Sequence, residues 1–500
     1  MADMENYDEA AEEIKNRRKK RALKVFITEG LMVLAVILLV VLTTMIATGY
    51  NVKPGKDWKI ERTGLVQLQS SPTGANITID GETIFGWTNM SRSMTEGEHE
   101  IIFSRDGYET WSKKIFVMAG LYYRLDYPRL FLTEKKVEEV ETIPEGFNLS
   151  FAKDGNIALA YSNEATTWKV FEVDVDKPKS KEISTKDLFT PLPEGESDSG
   201  VKIEAWSGNS EKVLISRNNE WALVNVKQPE KSVNLTKKYG MSFSQMKIAN
   251  DAANVLYVVS DGNLRKIEVN EEKISSVLVK NLKTFDNSKL DFVYVADEDG
   301  DEETEIGIYR DGEKTLLKLE FNTEEDGGEI EKQNEDKDFS VLLRKIKEVG
   351  YSEYYGEFYL NVIFDDERWA IFRGGRADFS DSESKLVLFE KNDKEPRRFE
   401  IRGDGEFFVL DFDNEERVFD VEAGNVVKIT TFLDAKWLDE YMIYEISPEG
   451  ELSVADFDRE NLRKMTDGVK GGTEVKISKN NRWMYFVSSE NRLSRIIIAN

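Results

Sequence analysis

Four stretches of this chain read as one unit written four times: 202–226, 246–269, 435–457 and 475–498. Each has a short strand, a polar turn, a run of four or five apolar residues, a second turn and a third strand. Aligning the first strands sets Trp206 opposite Ile248 and Trp437 opposite Ile477, offsets of 42 (248 − 206) and 40 (477 − 437) residues. That is the period of a four-stranded propeller blade. With a unit at 146–185 and two or three more between 290 and 400, the chain predicts seven or eight blades over residues 134–500. The last unit lacks a clear fourth strand, and Val137–Thr142 (VEEVET) lies just before the first. This segment is expected to pair into the last blade and close the ring, which protects the sheet edges.

The second constraint lies near the start. Residues 25–48 are apolar, with no charge from Leu31 to Ala47, which is enough to cross a hydrocarbon core as one helix. Seven basic residues between Lys15 and Lys24 precede it, no A-x-A cleavage site follows, and the expectation is an uncleaved signal anchor. The organisation read from the sequence is a cytoplasmic tail 1–24, a transmembrane helix 25–48, a linker 49–59, a small domain 60–133 and the propeller 134–500. The lipid bilayer is then a partner through residues 25–48, and the C-terminal domains are extracytoplasmic. Glu29 lies one turn inside the inner boundary, where it is expected to snorkel to the headgroups or to be protonated.

Composition narrows function by exclusion. A net charge of −26 argues against nucleic acid as a partner. With no cysteine there are no disulfides and no thiolate metal sites. One histidine, His99, falls outside the propeller, so no Ser–His–acid site can form inside it. No phosphate loop occurs; Gly374–Gly375 and Gly471–Gly472 are turn glycines.

Residues 60–133 alternate with period two, punctuated by turns, and predict a small antiparallel β-sandwich. Ser71-Pro72-Thr73-Gly74-Ala75, Ile77, Ile79-Asp80-Gly81, Gly86, Gly97, His99, Gly107-Tyr108 and Trp111 together resemble a PEGA domain. Thr73 stands where that family has its glutamate, and Asn89 where it usually has a proline; both are turn positions. The resemblance implies an extracytoplasmic spacer or adhesion module without catalysis, with His99 as part of the fold pattern. By strand parity with Ile101 and Phe103, His99 is a structural histidine. In the propeller, 150–160 and 477–486 resemble WD-like and TolB-like blades, a likeness that implies fold alone.

Three constellations carry candidate chemistry. The acidic run Asp297–Glu305 resembles a calcium loop in composition but not in spacing, and reads as a hairpin tip. Trp206, Trp221, Trp369, Trp437 and Trp483 could form a sugar- or peptide-binding face, yet their repeating positions favour blade core. The stretch 323–338 is an acidic solvated loop. No catalytic, cofactor-binding or metal residue is assigned, and the binding residues stay open. The fold class expected is an all-β ectodomain on one N-terminal helix. The function expected is a surface binding or scaffold protein, not an enzyme, whose propeller engages a protein, wall polymer or glycan. The alternative is an extracytoplasmic hydrolase or lyase using two converging carboxylates.

Overall fold

The computed structural model describes residues 26–499, apart from 42, 46–48, 54–58, 192–196, 298–303, 320–338, 376–378, 380–383, 403–404, 413–414, 422–423 and 431–434. The chain forms two compact units, Met1–Phe131 and Leu132–Asn500.

In the first unit, α1 (Phe26–Met45) is a 20-residue helix with none of its apolar window buried. Twenty residues at 1.5 Å each span about 30 Å, the thickness of a hydrocarbon core. Thr43 turns its hydroxyl back onto the carbonyls of Leu39 and Val40, at 2.9 Å each, so this polar group is satisfied within the helix.

Two four-stranded sheets follow. One joins β1 (Tyr50–Lys53), β2 (Lys59–Leu68) and, out of chain order, β5 (Met90–Thr95). The other runs β4-β3-β6-β7, where β3 is Asn76–Ile79, β4 Glu82–Trp87, β6 Gly97–Ser104 and β7 Trp111–Val117. The β3–β4 turn places Asp80 and Gly81 both at positive φ (51° and 81°), the two-residue hairpin geometry that matches strand twist. Inward positions of both sheets meet as Val66, Leu68, Ile77, Ile101, Phe103 and Trp111, with Phe103 stacked on Trp111 at 5.2 Å.

The sandwich departs from the antiparallel expectation in one strand. β8 (Tyr122–Leu125) pairs parallel with β2, from Leu65↔Tyr122 to Leu68↔Leu125. The stretch read as a linker also contributes β1, which pairs with the start of β2.

The second unit contains eight four-stranded sheets among the described residues. Seven are built in chain order, at 148–184, 202–234, 245–274, 282–316, 346–391, 398–430 and 436–466. The eighth takes three strands from 476–497 and its fourth from β9 (Val137–Thr142). The ring is therefore a propeller of eight blades closed as expected, in the register Arg492↔Thr142 to Ile496↔Val137. The 290–400 region, where two or three units were expected, contributes to three blades.

The strand pattern follows from position. Middle strands such as Ile157–Tyr161 and Val255–Ser260 are covered on both faces by neighbouring blades, and so read as unbroken apolar runs. The outer strand Lys179–Ser184 is mostly exposed and polar. Neighbouring blades share one core: Leu159, Trp168 and Val170 of the first pack with Val213, Ile215 and Val224 of the second. Across the closure, Phe151, Ala158 and Phe171 pack with Trp483, Tyr485 and Leu493.

Candidate functional site

The first strand of each blade borders the centre of the ring, and in every blade but the first (Asn148–Phe151, NLSF) it carries charge where middle strands carry valine and leucine. Lys247, Asp286 and Glu348 come from the first strands of the third, fourth and fifth blades. They meet at a cavity of about 970 Å³. Lys247 Nζ lies 2.8 Å from Asp286 Oδ1 and donates to the Phe285 carbonyl at 3.1 Å. Burial pushes the Glu348 carboxyl above the usual range; Lys247 opposes this and the charge of Asp286 adds to it. Gly350 lets the first strands of the fifth and sixth blades pack closely beside the cavity, since a Cβ there would collide with the Phe399 ring.

The mouth of this cavity lies where the first strands end. Of the charged side chains lining it, seven are acidic (Asp286, Asp291, Asp311, Glu348, Glu353, Glu400, Glu440) and four basic, so the mouth is negative. Lys247 pairs with Asp286 and Arg310 with Asp291 at 3.1 Å, which sets two bases against two of the acids and leaves five acids facing Lys153 and Lys289. Leu290, which lines it, is 52% exposed, and Tyr355, two positions beyond the lining residue Glu353, is 68% exposed. Such a rim offers apolar anchors around a charged centre.

A second cleft opens where the first strands begin, between the sixth and seventh blades. It measures about 500 Å³ and includes Arg398, Glu416, Lys436, Trp437 and Glu474 in its lining. Glu416 is only 4% exposed and sits directly across the strand pair from Asp411. Burial, with the charge of Asp411, pushes its carboxyl up to about 7 against the opposing pull of Arg398. Below about pH 4.5 the group is neutral in both folded and unfolded chains. As pH rises towards about 7 the unfolded chain ionises first, so stability is lost across this window, by roughly 3 kcal/mol. The Glu416→Gln variant is expected to gain stability over the parent at pH 8 but not at pH 5, measured by denaturant unfolding at both values.

Residues singled out in the sequence take separate places. Trp221, Trp369 and Trp483 are buried in blade cores; the Trp221 indole donates to the Phe243 carbonyl at 2.9 Å and that of Trp369 to Asn361. Trp206 and Trp437 end first strands and are partly buried, with the Trp206 indole on Ser150 Oγ at 3.0 Å and Trp437 beneath the Arg402 guanidinium. The five do not converge on one face. His99 is held by Asp80 Oδ2 and the Thr95 carbonyl, 2.7 Å each, which fits a structural histidine. Residues 298–303 of the acidic run and the stretch 323–338 lie outside the described residues. Among the described residues no three His, Cys, Asp or Glu side chains gather as a metal site. Glu348 and Glu416 were not singled out by sequence, because nothing in a strand of mixed charge says which neighbour it will face.

Residues 63–129 match the PEGA domain family. No curated protein matches the chain. Among solved structures, apo AztD from Citrobacter koseri is 11% identical, covers 74% of this chain and 91% of its own, and has a TM-score of 0.36. The yeast heterotrimeric Nup82–Nup159–Nup116 nucleoporin complex has a chain 10% identical (64% and 97% covered; TM-score 0.39). Hsv2p of Kluyveromyces lactis is 11% identical (64% and 97%; TM-score 0.38). The PEGA domain accounts for the sandwich of the first unit, and the motif residues quoted from Ser71 to Trp111 all fall within the match.

Proposed function

We propose that this is a membrane-anchored, extracytoplasmic binding protein whose propeller engages a basic segment of a partner protein at its acidic mouth. The observation that carries the binding role is the 970 Å³ cavity with its excess of carboxylates and exposed rim side chains. Complementary charge would steer a cationic segment to it, and Leu290 and Tyr355 would hold the flanks. The anchor is supported by α1, whose apolar window is not buried by any of the described residues, and by the basic block before it. The PEGA domain would then act as the spacer between bilayer and propeller.

The binding test uses the full-length protein in detergent and a fluorescent lysine-rich peptide. Replacing Glu353 and Glu440 together by Gln is expected to weaken binding about tenfold at low salt, an effect that fades as salt rises. Equal affinity in parent and variant would remove the mouth from the proposal. The topology has its own test. The chain has no cysteine, so a single Glu82→Cys change gives one labelling site. Labelling of intact cells by an impermeant maleimide is expected; protection until lysis would overturn the orientation.

A second reading, a carboxylate-dependent hydrolase, rests on the approach of Asp286 and Glu348, one ion-paired and one with a raised pKa. Release of reducing ends from a polysaccharide by the parent, lost in Glu348→Gln, would favour it.

A further inference from the structure

We propose that the cleft between the sixth and seventh blades binds a small oxyanion, a carboxylate or a phosphate-like group, with Lys436, Arg398 and the Glu416 carboxyl as its hydrogen-bond donors. The cleft lies where the first strands begin, apart from the acidic mouth where they end, and does not depend on what the mouth binds.

Glu416 carries the inference. Glu416 lines the cavity and is 4% exposed as a residue, and its carboxyl makes no hydrogen bond among the described residues. A buried polar group without a partner is uncommon and points to a missing one. The other groups left wanting nearby are donors. Lys436 at the rim forms no ion pair among the described residues. The wall holds two N–H groups without acceptors, Arg402 Nε and Trp437 Nε1.

The nearby acids are engaged in part by the arginines themselves, so Arg398 and Arg402 keep only part of their donor capacity and Lys436 is the cation left without an ion pair among the described residues. Asp411 accepts from Arg397 at 2.9 Å, and Glu400 takes both Arg398 and Arg402. Glu474, reaching in from the eighth blade, accepts the Phe151 amide at 3.1 Å. Tyr444 donates to the Thr473 carbonyl and accepts from the Val475 amide. What remains is a set of donors, joined by Glu416 whenever it holds its proton. An oxygen-rich anion complements such a set, and a cation does not.

Binding must then be linked to protonation, because ionised Glu416 would repel the anion and could no longer donate. The groups facing it are Asp411 and Glu400, which favour the protonated form, and Arg398 and Arg402, which oppose it. Lys436 and Tyr444 face the cleft from the seventh blade, with Glu474 behind them.

The experiment is calorimetric titration of the full-length protein in detergent with sodium D-glucuronate and with sodium sulfate. Both probes keep a fixed charge between pH 6 and pH 8. At least one is expected to bind at pH 6 and to weaken about tenfold at pH 8, as Glu416 passes from mostly protonated to mostly ionised. Glu416→Gln, a permanent neutral donor, is expected to bind equally at both pH values, and Lys436→Met to bind more weakly at both. Glucuronate alone would assign a carboxylate, and sulfate alone a phosphate-like group. Saturable binding by neither probe at pH 6 would overturn the proposal, as would a pH dependence that persists in Glu416→Gln.

Discussion

Replacing Val137–Thr142 by a glycine–serine stretch of equal length is expected to lower the unfolding midpoint of the full-length protein by about 10 °C or more. Those six residues are β9, the outer strand of the eighth blade. Without them the strand Arg492–Ile497 becomes an open edge, and Val140 no longer packs on the shared core of the first and eighth blades. The ion pairs of Arg495 with Glu138, at 3.0 Å, and of Arg492 with Glu139 go too. Arg495 is nearly buried and lies 3.7 Å from the Trp483 ring centre, so losing Glu138 leaves much of its charge unpaired in an apolar setting. Keeping the length constant separates loss of pairing from shortening of the chain. Differential scanning calorimetry reads the result, and an unchanged midpoint would mean that β9 is not needed to hold the ring.

Trp369→Ala is expected to cost about 5 kcal/mol, the upper end for a buried tryptophan. Trp369 is fully buried among Tyr359, Ile371, Phe408 and Phe419, which belong to the fifth and sixth blades. Its removal leaves a cavity at their junction. It also strips the indole donor from Asn361, which is itself fully buried and already has an amide nitrogen without a partner. Both losses act on one spot, where little can collapse to fill it. Trp437→Ala, at a partly open position, is expected to cost much less. Denaturant unfolding of the two variants side by side tests this, and a Trp369→Ala cost below that of Trp437→Ala would contradict the core assignment.

The parts of this fold visible in the sequence are those whose burial has a period. Middle blade strands are covered on both faces, so Lys212–Arg217 and Val255–Ser260 announce themselves as apolar runs whose starts lie 43 positions apart (255 − 212). The closing strand could be inferred because the last unit was one strand short. The candidate site was not legible in the same way. First strands vary from two residues at Lys436–Trp437 to nine at Ile346–Tyr354, and they face a channel where charge is tolerated, so no regular apolar pattern marks them. Asp286 and Glu348 stand 62 positions apart (348 − 286), and only ring geometry brings them to one cavity. Glu416 lies in the strand Glu415–Asp420, where nothing sets it apart from Glu415 beside it; the charges that act on it, Asp411, Arg398, Glu400 and Arg402, come from other strands of the same blade. The parallel strand β8 was hidden for a related reason. Four residues, YYRL, carry no sign of the direction in which they will pair.

That parallel pairing has a mechanical consequence. Thr63 and Gly49 are bonded to each other where the chain enters the sandwich, and Ser71 pairs with Leu130 where it leaves. Eight residues of extended chain, about 27 Å, separate Thr63 from Ser71 along β2 and its extension. A tension applied between the helix and the propeller first peels β1, then pulls β2 and β8 from opposite ends. Their hydrogen bonds lie across the direction of pull and share the load, so they must fail together. An antiparallel partner in the same place would be unzipped one bond at a time. The strand that breaks the expected pattern thus makes the sandwich a tether that resists stretching.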